Sequence, residues 1–313
     1  MNALVLRNRA IRAARIFFAQ RNIIEVRTPK AVPAAAMEPY IDAFALTGSH
    51  GNQNLRLSTS PEMAMKTIFA DELDADSGAV GIYEIAAVFR DDPATRNHAC
   101  EFTMVEWYRR DCTLAQLLNE TADLIGHLAE ALEHKLPDTS LKIFDIRNLF
   151  TGCGLSLDFA DPRCFADAWS KRHGTLPHHL NELDLAIAAF NLLFDECILP
   201  LLKQESGLCA VSGYPEILGA MAYCENGIAE RAEIYLRGVE LANGYREEFR
   251  PQPVRERWLR YNEIRTLRGE SPHALNEAVL SSLPALKDAA GIALGLERTI
   301  AALVPRMALQ NFS

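Results

Sequence analysis

Tyr83-Glu-Ile-Ala-Ala-Val-Phe-Arg90, a polar loop from Asp91 to Cys100, and Glu101-Phe-Thr-Met-Val-Glu-Trp-Tyr108 decide the fold. Both runs alternate residue character and are rich in aromatic and β-branched side chains, so they predict two antiparallel strands. Period-two alternation puts Tyr83, Ile85, Ala87 and Phe89 on one face and Glu84, Ala86, Val88 and Arg90 on the other. In the second run Phe102, Met104, Glu106 and Tyr108 share a face. Glu106 then sits among apolar neighbours, where a carboxylate is costly unless a cation or a set of donors meets it. Two readings stay open: a pocket acid awaiting an ammonium or a ribose, or a structural ion pair with one of the arginines.

Upstream of this pair, residues 4–21 predict an amphipathic helix whose stripe is Leu6, Ala10, Ala13, Ala14, Phe17 and Phe18. Arg7, Arg9, Arg12, Arg15 and Arg21, with no acid before Glu25, also fit a transit peptide. The stripe runs into strand-like Ile23–Val26 without a cleavage-like break, which favours the helix. Strand-like Asn54–Ser58 leads to a helix from Pro61 to Phe69, with Ser60 as N-cap and Pro61 as first helical residue. Downstream, residues 114–134, 181–203 and 254–268 read as helices, Ala232–Gly244 as a hairpin, and Gly291–Leu303 as a strand turning into a helix. Antiparallel strands in the chemistry-bearing segments, with helices between them, imply an α+β fold rather than a parallel doubly wound sheet. Neither G-x-G-x-x-G nor G-x-x-x-x-G-K occurs.

The hairpin carries Glu233 and Glu240. A two-residue turn at Arg237-Gly238 would pair Leu236 with Val239 and Tyr235 with Glu240. Glu240 then points the same way as Tyr235 and Glu233, and the two carboxylates become diagonal cross-strand neighbours. That is unfavourable without a compensating charge. A divalent cation shared with phosphate oxygens would supply it; exposure at a sheet edge is the alternative. In Gly291-Ile-Ala-Leu-Gly-Leu-Glu-Arg298, Gly295 permits close backbone approach and Arg298 lies one turn into a helix. By itself this is also consistent with a tight packing corner.

Composition narrows the function. The chain has 313 residues, with 32 Lys+Arg against 41 Asp+Glu, so a net charge of −9 disfavours broad nucleic-acid binding, which runs on cationic contacts to phosphate. The apolar stretch Leu192–Leu202 is broken by Asp195, Glu196 and Pro200, short of a membrane span. Seven cysteines without a C-x-x-C pair predict reduced thiols and a cytoplasmic protein.

Taken together and in order, these segments resemble motifs 2 and 3 of class II aminoacyl-tRNA synthetases, most closely the lysyl branch. The similarity rests on Phe89-Arg90-Asp91-Asp92, His98, Glu101 to Tyr108, Ser60-Pro61-Glu62, and a motif 1-like Glu25-Val26-x-Thr28-Pro29. It runs from about residue 8 to 303. Within that branch the chain looks like the elongation factor P lysyltransferase family. Only one helix stands before the motif 1-like segment, where lysyl-tRNA synthetases carry an oligonucleotide-binding barrel. The strings E-F-T-M-V-E-W-Y-R and R-G-V-E-L-A-N-G-Y are similar to that family's own, and Ala293 stands where lysyl-tRNA synthetases have glycine.

The resemblance implies a single class II synthetase-like catalytic domain over 1–313, an antiparallel sheet flanked by helices, with a helical insert at roughly 140–230. It implies a homodimer that uses ATP and Mg²⁺ to activate a lysine-type amino acid, (R)-β-lysine by the Ala293 argument. Transfer is then to a lysine of elongation factor P, not to tRNA. By the same resemblance Arg90 and Arg298 clamp the α- and γ-phosphates, Phe102 stacks the adenine, and Asp92 and His98 contact the nucleotide. Glu233 and Glu240 hold Mg²⁺. Glu62, Glu106, Tyr108, Asn243, Tyr245, Glu247 and Ala293 line the amino-acid pocket, with Glu106 and Glu247 facing the ammonium groups. The chain departs from the family pattern at Asp92, Ala99-Cys100, Arg246 and Glu297. Two alternatives accompany the reading: a ligase with another acceptor, and a catalytically dead paralogue that binds or regulates.

Overall fold

A computed structural model describes residues 2–48, 54–73, 78–92, 99–136, 140–174, 181–304, 307 and 312. The N-terminal part contains α1 (Ala3–Ala19), β1 (Ile23–Glu25), β2 (Ala31–Val32), β3 (Ala45–Leu46), β4 (Leu55–Leu57) and α2 (Glu62–Glu72). The long strands β5 (Gly81–Phe89) and β6 (Glu101–Arg109) follow, then α3 (Leu114–Ala131) and β7 (Lys142–Asp145). Helices α4 (Ile146–Gly152), α5 (Arg163–His173), α6 (Glu182–Leu193) and α7 (Leu199–Gln204) come next. The chain continues through β8 (Leu208–Pro215), β9 (Cys224–Glu225), β10 (Ile228–Leu236), β11 (Val239–Arg246) and α8 (Pro251–Leu267). It closes with α9 (Glu277–Ser282), β12 (Ala290–Gly295) and α10 (Leu296–Leu303).

The main sheet runs β1-β5-β6-β12-β11-β10-β8-β7, with β9 added beside β10. Its central pairs are antiparallel, as the alternating runs require. The antiparallel arrangement holds for the chemistry-bearing strands, while at the two edges β1 joins β5, and β7 joins β8, in parallel. Both parallel strands are short edges whose chain returns from a distance, where a hairpin is not available. The α+β class holds.

Alternation then sorts the side chains. Tyr83, Val105, Trp107, Ile234 and Ile292 point to a core made with α1, α3 and α10. The opposite face meets α2, α8 and α9 through Ile82, Tyr108, Met65, Phe69, Tyr245 and Trp258. The α1 stripe is the one the sequence predicted, Leu6, Ala10, Ala13, Ala14, Phe17 and Phe18 being buried. Helices α4 to α7 pack their own core against β8 and β10. They lie between β7 and β8, two strands of the main sheet that also fall within the stretch read as a helical insert. The run Glu182–Gln204, long and apolar enough by composition to cross a membrane, is half buried here. A π-helical turn at Phe194–Ile198, just before Pro200, lets Phe190, Leu193, Ile198 and Leu202 all face that core.

The hairpin turn is also where it was expected. Arg237 and Gly238 both have positive φ, and Leu236 pairs with Val239 and Tyr235 with Glu240. Beyond that point the sheet adds something alternation does not contain. A bulge shifts the register so that Ile234 faces Ala242 and Glu233 faces Asn243. Leu241 and Ala242 consequently both enter the α3-side core.

Candidate active site

Because of that bulge, one row of directly opposed residues crosses five strands: Glu84, Glu106, Ala293, Asn243 and Glu233. The next row holds Ile82, Tyr108, Gly291, Tyr245 and Arg231. The middle members of these rows, Glu106, Ala293, Asn243, Tyr108, Gly291 and Tyr245, form the floor of a cavity roofed by Ala35, Ala36, Glu38 and Ile41 and walled by Thr59, Ser60, Glu62 and Met63. Arg90 stands at one end. The cavity thus gathers Glu62, Arg90, Glu106, Tyr108, Asn243, Tyr245 and Ala293, seven residues that the sequence stretches had scattered over 230 positions.

Glu106 is buried, and among the described residues it has no arginine partner. Instead Ser60 Oγ donates to it at 2.8 Å and the Tyr108 hydroxyl at 2.6 Å. Burial and the nearby charge of Glu62 push its carboxyl up to about 8, against which these two hydrogen bonds and Lys66 work. Helix α2 starts one residue later than predicted, at Glu62. The reason is that Ser60 Oγ accepts the Glu62 N–H at 3.0 Å while its own hydrogen goes to Glu106. Glu84, directly opposite Glu106, is kept apart from it electrostatically by Lys30 at 2.6 Å and Thr28 at 2.6 Å.

Glu247 is fully buried behind Tyr108 and Gly291. One oxygen takes Lys66 Nζ at 2.5 Å; the other, Oε1, has no hydrogen-bond partner among the described residues. Burial pushes this carboxyl up to about 7 despite the lysine. Lys66 also reaches Glu62 at 3.0 Å and lies over the rings of Tyr245 and Tyr108, 4.9 and 5.7 Å from their centroids. The Tyr245 hydroxyl donates to Glu62 as well. Among charged residues, sequence reasoning missed Glu38 on the pocket lining and Lys66 buried behind it. For Lys66 a signal existed, since it stands four residues after Glu62 and so on the same helix face. Glu38, on an irregular Pro/Ala-rich stretch, had none.

At the other end, Arg90 lies over Phe102, 5.4 Å from the ring centroid, and donates to the Thr59 carbonyl at 3.4 Å. The Arg90 N–H meets the Cys100 carbonyl at 2.9 Å, closing the stem of the loop that carries Asp92, a partly buried residue. His98 lies outside the described residues. Arg298, on the first turn of α10, reaches Glu240 at 3.8 Å and its carbonyl at 3.4 Å. Glu297, its buried neighbour, accepts the Thr103 N–H at 2.8 Å and pairs with Arg7 at 3.3 Å, locking α10 to β6 and α1.

Whether Glu233 and Glu240 suit a divalent cation can be read from their partners. Glu233 already accepts from Arg231 at 2.6 Å, from the Tyr214 hydroxyl at 2.7 Å, and from Tyr235. Glu240 is 40% exposed along its side chain and has free lone pairs. Although the side chain keeps a solvent-facing edge, desolvation by its surroundings and then Glu233 push its carboxyl up, to about 7. Among the described residues no three His, Cys, Asp or Glu side chains are grouped to hold a metal ion. A cation here would need further oxygens, such as those of a phosphate, and Glu240, the less engaged of the two acids, would contribute first.

The chain as a whole is similar to known proteins. The family model described as tRNA synthetases class II (D, K and N) matches residues 1–311. Among curated proteins, the elongation factor P–(R)-β-lysine ligase of Pectobacterium atrosepticum is 30% identical over 305 residues, covering 95% of this chain and 89% of that protein. Its namesakes from Erwinia tasmaniensis and Proteus mirabilis are each 31% identical. The first alignment covers 95% of this chain and 90% of the relative; the second covers 91% and 86%. The chain thus belongs to the class II tRNA synthetase family (D, K and N), alongside the elongation factor P–(R)-β-lysine ligases.

Proposed function

We propose that this protein is an ATP-dependent ligase that activates a lysine-type amino acid, (R)-β-lysine, as its adenylate and transfers it to a lysine of elongation factor P. The observation that carries the reading is the charge layout of one cavity. Carboxylates from Glu62 and Glu106 line one end, with Glu247 buried just behind it, and Arg90 stands at the other with Arg298 beyond it. A dication with a carboxylate tail matches the first end, and a triphosphate the second. The names of relatives at about 30% identity supply the acceptor and the β-amino acid.

The chemistry asks little of the protein beyond placement. A substrate carboxylate oxygen attacks the α-phosphorus, the bond from that phosphorus to the bridging oxygen breaks, and pyrophosphate leaves. An amine of the acceptor then attacks the acyl carbon, loses a proton, and AMP departs. No general base is needed for the first step, because the nucleophile is already ionised. Catalysis is alignment plus stabilisation of charge on the phosphates. Arg90 and Arg298 would serve the α- and γ-phosphates, Phe102 the adenine, and Asp92 and His98 the nucleotide edge. Glu106 and the free oxygen of Glu247 would take the distal ammonium, with Tyr108, Asn243, Tyr245 and Glu62 around it. Mg²⁺ entering with ATP would be held by Glu240 and Glu233 and would neutralise phosphate charge.

A homodimer built on α1 and β1 is part of the proposal, supported by the exposed Leu4, Ile16 and Ile24. Free thiols at all seven cysteines suit a reducing compartment such as the cytoplasm. The direct test is ATP–pyrophosphate exchange with α-lysine, (R)-β-lysine and a panel of other amino acids. Exchange that prefers β-lysine supports the ligase and makes transfer to elongation factor P the next assay. No exchange with any amino acid would transfer the reading to a non-catalytic paralogue.

A further inference from the structure

The roof of the cavity adds an acid that the resemblance does not assign. Glu38 lines the same cavity as Glu62 and Glu106. Its segment is held in place from both sides. Buried Arg265 donates to the Pro39 carbonyl at 3.0 Å and to Asp42 at 2.7 Å. His273, buried and held neutral well below its usual range by desolvation and Arg265, meets the Glu38 carbonyl at 3.2 Å. Thr59 donates to the Ala35 carbonyl at 2.5 Å. A loop tethered this way presents its side chain at a fixed place, yet among the described residues no cation comes within 4.0 Å of the Glu38 carboxylate. Lys66, buried behind the pocket wall, is committed to Glu62 and Glu247.

Hydrogen bonds order the cavity. Thr59, which holds the Ala35 carbonyl, accepts Arg90 at its own carbonyl at 3.4 Å, and the Asp91 N–H donates to the Asp42 carbonyl at 2.9 Å, so both ends of the roof strip are tied beside Arg90. Glu38, between these ties, is at the phosphate end, whereas Glu106 is held by Tyr108, over whose ring Lys66 lies. A carboxylate at the phosphate end faces the substrate's own carboxylate and a triphosphate, a repulsive set unless a cation sits among them. The proximal amino group of a diamino acid is such a cation.

Resting on the ligase reading above, we propose that Glu38 binds the substrate amino group nearest the reacting carboxylate, and so makes the enzyme reject acids that lack it. Discrimination follows because an acid without that amine would leave the Glu38 carboxylate facing the substrate carboxylate and the phosphates with no cation between them. The test is a cycle of two enzymes and two substrates in ATP–pyrophosphate exchange. Wild type and Glu38→Gln are compared on lysine (α or β, whichever wild type prefers) and on 6-aminohexanoate, which keeps the distal amine and lacks the proximal one. Wild type is expected to favour the diamino acid by about 100-fold or more in kcat/KM, and Glu38→Gln to shrink that ratio at least about 10-fold. Glu38→Asp, which keeps the charge, restores part of the ratio. An equal ratio in wild type and Glu38→Gln overturns the role of Glu38 while leaving the ligase intact. No exchange by wild type with either diamino acid overturns the ligase reading and this proposal together.

Discussion

Arg298 is tied to the rest of the protein by little more than a 3.8 Å approach to Glu240, and it is a third exposed. Its removal is therefore expected to leave the melting temperature nearly unchanged, while exchange activity falls by about 100-fold or more through lost phosphate stabilisation. Retained exchange in Arg298→Ala would contradict its assignment. Ala293 stands between Asn243 and Glu106 in the row across the sheet, with its methyl group packed by Ala86, Val88 and Met104. Ala293→Gly should move the β-lysine to α-lysine preference towards α-lysine by about 10-fold, the scale of one methyl group in a pocket. An unaltered preference removes Ala293 from the specificity argument. Glu106 has a pH signature. Its folded value near 8 lies above the ordinary 4.5, so the native state holds a proton that the unfolded chain has lost between those values. Stability accordingly declines as pH rises across that window, and the full cost is present above about 8. Glu106→Gln should melt higher than wild type at pH 8.5 and show no such gain at pH 4.5, while its KM for lysine rises steeply. Equal differences at both pH values would mean that burial does not hold the proton.

At the scale of elements, α2 packs on the sheet through Met65 and Phe69 and carries Glu62 and Lys66 inward beside them. Glu62 and Lys66 are one turn apart, and Lys66 bridges to Glu247 on the segment just after β11. That one cation serves two buried acids. Lys66→Met is expected to cost about 3–5 kcal/mol in urea unfolding, the scale for removing one partner of a buried pair. The loss should be smaller at pH 6 than at pH 8, because Glu247, already near 7, protonates when its cation is gone. A loss under about 1 kcal/mol would show that water, rather than Lys66, meets the acids. The Lys66 case also shows where sequence reading stops. A single lysine in a short helix reads as surface, and its burial depends on the acid 181 positions later that meets it. The Arg237-Gly238 turn was legible because a two-residue turn is decided locally. The bulge beyond it was not, because it is the packing of Leu241 and Ala242 against α3 that rewards it.

For the molecule as a whole, the proposed dimer makes one more claim. Leu4 is 73% exposed, Ile16 49% and Ile24 46%, all on the first helix and the edge strand β1. A second copy covering this edge would pair the free side of β1 and remove these side chains from water. Sedimentation of the wild-type protein is expected to give a dimer, and Ile24→Glu a monomer with reduced exchange activity. A monomeric wild type at micromolar concentration would end the dimer proposal.

Local chemistry on the sequence was enough for the strands β5, β6 and β10–β12, the turn at Arg237-Gly238, the apolar stripe of α1, and the oddity of Glu106 among apolar neighbours. Each depends on residues a few positions apart, where alternation and turn chemistry act directly. Tertiary structure decided that β12 lies between β6 and β11, that α2 closes over the sheet, and that the bulge turns Asn243, Tyr245 and Glu247 to the same face as Glu240. It also decided that Lys66 is buried and Glu38 faces the cavity. These outcomes rest on contacts between residues far apart in the chain, whose free energy exists only once the sheet has brought them together.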